Sequence, residues 1–302
     1  MLHFFRLIRI VNMLIIIVTM LGVIDYYIDG PITFQEHANL WILILTTVFI
    51  AAAGNIINDY FDIRADRINR PQSVVIGKYI KRRWAIVLHW FFNFIGILGG
   101  IYFLFQFGEW GILLIHFIST GVLWWYSVWL KKVPLIGNLV IASLIVLVIL
   151  MTLYYTGFGF SNVPYNQYDE NFGTLYLYRL QVINWFAIIG FTLNIAREIV
   201  KDAEDIKGDR AIHAKTIPMI VGIPTTLRVV GLLMLIYPAI YFTGIAINID
   251  TVHLQKLWPL TIAAIVCLIG FFPLILPNEK WITPIKQALK LAMVLGLLYL
   301  FL

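Results

Sequence analysis

The chain has 302 residues, 61% of them hydrophobic and 13% charged, with a mean hydropathy of +0.88 and a formal net charge of +6. So much apolar surface cannot be hidden in a water-soluble fold of this size, so a soluble protein is excluded and a polytopic membrane protein is indicated. The one cysteine, Cys267, rules out an intramolecular disulfide, and the basic residues sit beside apolar runs, the positive-inside pattern rather than a nucleic-acid footprint.

Taken in chain order, runs of the ~20 residues that a bilayer requires lie at 8–28, 38–58, 84–106, 109–130, 135–157, 181–200, 224–247, 257–276 and 283–302. The first, around "LIIIVTMLGVI", is not followed by a small-residue cleavage site and reads as a retained span. The runs are continuous and lack strand-like alternation, so an all-α polytopic protein with nine transmembrane helices, forming a single transmembrane domain over 1–302, is expected. Lys and Arg set its orientation. Arg6 and Arg9, the group from Arg64 to Arg83, Lys131 and Lys132, the group from Lys201 to Lys215, and Lys280 occupy alternate loops. The opposite loops offer Arg179 and Lys256 against seven acids from Asp25 to Asp250. This asymmetry predicts a cytoplasmic N-terminus and an external C-terminus; a prokaryotic inner membrane is the expected host. The longest outside loop, "GFGFSNVPYNQYDENFGTLYLYR", reads as an interfacial connector.

Two segments break the apolar pattern. "GNIINDYFDIRADR", 54–67, follows span two, and "REIVKDAEDIKGDR", 197–210, follows span six. Aligned without gaps, Asp59, Asp62 and Asp66 fall on Asp202, Asp205 and Asp209, and Asn55 falls on Glu198. Steps of four, three and four confine each set to roughly a 60° arc of a helix, giving two carboxylate stripes at one membrane depth.

A mid-membrane aspartate costs about 2.5–3.5 kcal/mol, less near the interface. Divalent cations are the simple offset. Mg²⁺ is commonly held by a few carboxylates together with substrate phosphates, so the stripes suit Mg²⁺ and a diphosphate. Arg70, Lys78, Lys81, Arg82, Lys201 and Lys215 are then candidates for the remaining phosphate oxygens, with Asn55 and Glu198 at the heads of the stripes. The bland alternative is a pair of solvated helix ends carrying i,i+4 ion pairs. It suits one stripe better than two of matched spacing, depth and side. Walker, Rossmann and Cys/His zinc patterns are absent, and of the six histidines only His213 adjoins a motif.

"NDYFDIRADRINRP" and "KDAEDIKGD" resemble the first and second motifs of the UbiA superfamily of intramembrane prenyltransferases, and the resemblance extends over nearly the whole chain. It implies nine helices around a central cavity, with a polyprenyl diphosphate bound through Mg²⁺ at the cytoplasmic end and membrane lipids at a lateral opening. By motif position it implies metal ligation by Asn58, Asp62 and Asp66, with Asp59 beside them, and by Asp205 and Asp209, with Glu198 and Asp202 upstream on the same face. In "GVLWWYSVWLKK", Tyr126 and Lys131 match the tyrosine and lysine of the fourth helix, the lysine reaching the diphosphate; Trp124, Trp125 and Trp129 read as an interfacial aromatic belt. Arg9 and Asn12 resemble a first-helix pair that approaches the cavity, while a positive-inside anchor explains Arg9 equally well. One departure stands out: where the family commonly has Arg-Pro and then Ser-Gly, this chain has Ser73 and Val74, then Ile76 and Gly77. Lys78, Lys81, Arg82 or Arg83 is expected to replace the missing arginine.

"LKKVPLIGNLVIA" and the segment around motif two look most like the branch that prenylates geranylgeranylglyceryl phosphate. The alternative acceptor is an aromatic ring, as in quinone biosynthesis. A cation transporter or channel is the reading from another class; it would require polar groups near mid-membrane in several spans, whereas spans eight and nine are almost wholly apolar.

Overall fold

The computed structural model describes residues 2–28, 32–160, 170–247 and 257–302. They form helices α1 Leu2–Leu7, α2 Ile10–Tyr27, α3 Phe34–Asn69, α4 Arg82–Phe107, α5 Gly111–Val128, α6 Ile136–Gly159, α7 Glu170–Ala211, α8 Ile217–Ile247, α9 Trp258–Cys267, α10 Phe271–Ile275 and α11 Ile282–Tyr299, with short 3-10 turns between some of them. Among the described residues there is no strand, only an isolated bridge between Ile76 and Ile80. Nine helical segments among the described residues are long and apolar enough to cross a bilayer, as expected of an integral membrane protein.

The main departure from the predicted spans is length. α3 has 36 residues and α7 has 42. At 1.5 Å per residue they reach about 54 and 63 Å, against about 30 Å of hydrocarbon. Both helices outlast their apolar runs and carry the acidic motifs as their last turns. In α3 the reason is visible: Ile56, Ile57, Ile63 and Ala65 stay buried, so packing against protein continues where lipid contact ends. The loop predicted to lie outside also needs revision, because its second half is helical from Glu170 and begins α7. Its first part, 161–169, lies outside the described residues.

Local chemistry sets the helix ends. Thr33 and Glu36 form a capping box at the start of α3: the Glu36 N–H donates to Thr33 Oγ1, and the Thr33 N–H donates to Glu36 Oε2 at 2.7 Å. Pro71 follows the last turn of α3, where the missing N–H and fixed φ prevent continuation.

The chain divides into two compact units: residues 1–131 with 147–180, and residues 132–146 with 181–302. In the first, α3 packs against α4 and α5. Gly100 makes close approach possible there: a Cβ on it would lie 2.6 Å from the Leu113 Cα, which is backbone and cannot swing away. A cluster of Leu7, Ile8, Met13, Ala53, Ile56 and Phe92 joins α1, α2, α3 and α4. In the second unit, Leu193, Ala196, Ile199 and Val200 of α7 join a core with Leu227, Met234, Ala264 and Leu289.

Candidate active site

In the first unit the four predicted stripe residues of α3, Asn55, Asp59, Asp62 and Asp66, share one half-buried face, because the helix runs unbroken through them. Asn58 is buried, at 9% exposure. Lys131, in the 3-10 turn after α5, donates from Nζ to Asp62 Oδ1 at 2.5 Å and to Asn58 Oδ1 at 3.3 Å. The ammonium therefore bridges two oxygens spaced one helical turn apart. Its position is set by α5, where Gly54 of α3 leaves room for the Leu123 side chain.

Arg9 also meets the stripe. It occupies the left-handed region, at φ 54°, between α1 and α2. Its Nη2 donates to Asp59 Oδ1 at 2.7 Å. Asn55 is turned to structural use, donating to the Ile8 carbonyl at 3.1 Å and so tying the turn before Arg9 to α3. Asn12 is half-buried in the first turn of α2, and Tyr126 is half-buried in α5. Asp66, in the last turn of α3, is half-buried, and its carbonyl accepts the Arg70 N–H.

The tryptophans divide. Trp125 and Trp129 are 61% and 56% exposed, as a belt requires. Trp124 differs from the belt reading: its ring packs among Phe61, His89 and Trp90, at centroid distances of 5.4 to 5.9 Å. The physical reason is helix geometry, since neighbouring residues on α5 point about 100° apart and only Trp124 faces α3 and α4.

The departure in motif one has a packing explanation. Val74, Val75 and Ile76 are buried, and Ile76 joins the cluster beneath α1 and α3. Gly77, at φ 84°, closes the turn by donating to the Ile80 carbonyl at 2.8 Å. Ser73 is exposed and its hydroxyl donates to the Arg70 carbonyl at 2.7 Å. Arg70, Lys78, Lys81, Arg82 and Arg83 are all exposed, and Lys78 lies over the Tyr79 ring at 5.2 Å. Lys131 and Arg9 are cations that contact motif one.

In the second unit, Glu198 is buried, and Asp202, Asp205 and Asp209 are half-buried along α7. Arg197 lies 3.4 Å and Lys201 3.6 Å from the Glu198 carboxylate. The Asp209 carbonyl accepts the Ala214 N–H at 3.0 Å, which turns the chain sharply at the end of the helix. His213 takes a left-handed φ of 56° in that turn and is exposed. The Lys215 N–H then donates to the Lys132 carbonyl at 3.0 Å. Glu204, on another side of α7, accepts from Lys286 Nζ at 2.8 Å through both oxygens.

One contact was not foreshadowed by either acidic motif. The Asn138 amide, in the first turn of α6, donates to Asp202 Oδ2 at 2.9 Å. The signal that could have found it is a polar residue entering an apolar run, in "PLIGNLVIA".

The donor set fits a hard cation. Every predicted ligand offers oxygen, and the Lys131 ammonium already draws Asn58 and Asp62 to one positive centre. Among the described residues no three His, Cys, Asp or Glu side chains gather closely enough to hold a metal alone. That is compatible with Mg²⁺, which usually takes one or two carboxylates and completes its shell with water and substrate phosphate.

A sequence model described as the UbiA prenyltransferase family matches residues 15–294. The digeranylgeranylglyceryl phosphate synthase of Thermococcus kodakarensis is 32% identical over 193 residues, 60% of this chain and 56% of that one. The chain thus spans little more than half the length of that relative. The enzyme of the same name from Methanobrevibacter smithii is 29% identical over 296 residues, covering 95% of this chain and 91% of that one. Among solved structures, one described as a digeranylgeranylglyceryl phosphate synthase in membranes superposes with a TM-score of 0.67 at 23% identity, covering 99% and 96% of the two chains. A UbiA homologue from Archaeoglobus fulgidus bound to GPP and Mg²⁺ gives 0.61 at 15% identity, covering 99% and 100%.

Proposed function

The chain belongs to the UbiA prenyltransferase family, and we propose that it transfers a polyprenyl group from a polyprenyl diphosphate to the hydroxyl of geranylgeranylglyceryl phosphate or a similar glycerol lipid. The observation that carries this reading is the Lys131 ammonium held on Asn58 and Asp62, at the end of a membrane helix whose acidic pattern recurs on α7. A cation fixed among oxygen ligands suits a phosphorylated group. The relatives' names favour the glycerol-lipid acceptor over an aromatic ring. A transporter is disfavoured by family membership.

In this reading Asn58, Asp62 and Asp66 of α3 and Asp205 and Asp209 of α7 hold Mg²⁺, with Asp59 and Asp202 beside them. Bound Mg²⁺ supplies positive charge that stabilises the departing diphosphate. Lys131, beside the motif-one oxygens, would stabilise the same developing charge. Arg9, oriented by Asp59, adds a second fixed cation. Tyr126 presents a π face to positive charge left on the allylic carbon. The carbon–oxygen bond to the diphosphate breaks with its electron pair on oxygen. The acceptor hydroxyl then bonds to the carbon and releases its proton. Arg70, Lys78, Lys81, Arg82, Lys201 and Lys215 contribute to the basic surface that attracts two phosphorylated substrates; Asn12, Asn55 and Glu198 support Arg9 and the two stripes. The orientation that accompanies this reading places the N-terminus in the cytoplasm of a prokaryotic cell and the C-terminus outside.

The deciding experiment supplies purified protein with geranylgeranyl diphosphate, Mg²⁺ and a panel of acceptors. Transfer to geranylgeranylglyceryl phosphate with release of pyrophosphate is expected. Transfer confined to a hydroxybenzoate or a naphthoate would overturn the acceptor assignment, and no pyrophosphate release with any acceptor would overturn the reaction class.

A further inference from the structure

Asp202 is held by a side chain from another helix. Its Oδ2 accepts the Asn138 side-chain N–H at 2.9 Å, a contact between two helices 64 residues apart in sequence. Asn138 is itself buried, at 7% exposure, and a buried amide commits its donors where it finds a partner. The segment that delivers it is well anchored. The Lys132 carbonyl accepts the Lys215 N–H at 3.0 Å, and Leu135 takes a left-handed φ of 65°. The Ile136 N–H then donates to the Pro134 carbonyl at 2.8 Å as α6 begins. A left-handed leucine costs about 1–2 kcal/mol, so the surrounding contacts hold this turn in place. Asn138 thus arrives in the first turn of a 24-residue helix, whose positive end also favours a carboxylate.

We propose that Asn138 is a positioning residue for the second acidic motif: by fixing Asp202 through Oδ2 it leaves Oδ1 to face the metal that the motif would hold. The inference rests on the reading that the acidic motifs hold Mg²⁺. Asp202 is one turn from both Glu198 and Asp205 on α7, so its second oxygen shares their face. An outer hydrogen bond of this kind sets the orientation of a ligating carboxylate, and its removal typically costs 10- to 100-fold in metal affinity or activity. Leucine at 138 would keep the volume and lose the donor.

The test measures Mn²⁺ binding to purified protein with inorganic pyrophosphate present, by electron paramagnetic resonance, beside the unfolding midpoint without metal. Asn138→Leu is expected to weaken Mn²⁺ at least tenfold and to raise the Mg²⁺ concentration for half-maximal turnover in parallel. Mn²⁺ affinity within twofold of the unsubstituted protein would overturn the proposal, whatever happens to turnover. Asp62→Ala and Asp205→Ala separate the two levels. If both abolish binding while Asn138→Leu does not, the positioning role alone fails. If neither weakens binding, the metal reading fails with it. Should Asn138→Leu not fold, the exchange Asn138→Asp with Asp202→Asn retains a hydrogen bond between the helices but moves the charge. Its folding with weakened Mn²⁺ binding supports the proposal, and native binding refutes it.

Discussion

Replacing Lys131 with methionine tests the proposed site most directly. The change keeps the length and apolar stem and deletes the ammonium. Lys131 and Asp62 are 10% and 18% exposed, so solvent screens their 2.5 Å contact only in part. A charge-assisted hydrogen bond contributes about 1.5–3 kcal/mol, and the longer Asn58 contact adds less. Loss of about 2 kcal/mol of stability is therefore expected from the ground-state contact alone. The catalytic loss should be larger. A preorganised donor aimed at developing negative charge is worth about 2.7–4 kcal/mol, or 10²–10³ in kcat. Pyrophosphate release at saturating Mg²⁺ and donor, in nanodiscs, reads kcat; thermal unfolding of the same preparation reads stability. Lys131→Arg, which retains the charge with a different shape, should fall between methionine and lysine. If Lys131→Met loses stability about as predicted yet turns over within threefold of the parent, the ammonium serves packing and not the leaving group, and its catalytic role is refuted.

Chelation should abolish pyrophosphate release, with Mg²⁺ restoring it and Na⁺ not doing so; turnover persisting in excess EDTA contradicts the metal reading. Arg9→Gln removes the 2.7 Å contact to Asp59 and should raise the donor KM about tenfold, or ~1.4 kcal/mol, with a smaller effect on kcat. An unchanged KM returns Arg9 to the role of membrane anchor. Gly100→Val forces a Cβ to 2.6 Å from the Leu113 Cα, so α4 and α5 must separate; a loss of about 1–3 kcal/mol in detergent unfolding is expected, and a native midpoint would show that the helices tolerate the shift. A reporter fused to the C-terminus should be active only outside the cytoplasm, the opposite result reversing the predicted orientation.

Class and span number were legible in the sequence because hydrocarbon leaves few options: about 20 apolar residues in a row, with backbone hydrogen bonds satisfied internally, form a helix. The acidic stripes were legible for a related reason. A helix has a fixed period, so the spacing of Asp59, Asp62 and Asp66 is by itself enough to place them on one face. Helix length was less accessible. α3 and α7 continue past the membrane because protein contacts replace lipid contacts, and composition does not announce that replacement. Four features were decided by tertiary structure: the Arg9 contact to Asp59, the bridging position of Lys131, the packing of Trp124 against Phe61, His89 and Trp90, and the Asn138 contact to Asp202. Each joins residues that lie far apart in the chain or turns one side chain inward from a row of similar ones. Local period and hydropathy carry no information about such pairings, because the choice among equally basic or aromatic neighbours is made by the helix that packs opposite. Ile76 shows the same division: a family pattern makes it a departure, whereas the folded chain makes it the apolar plug beneath α1 and α3.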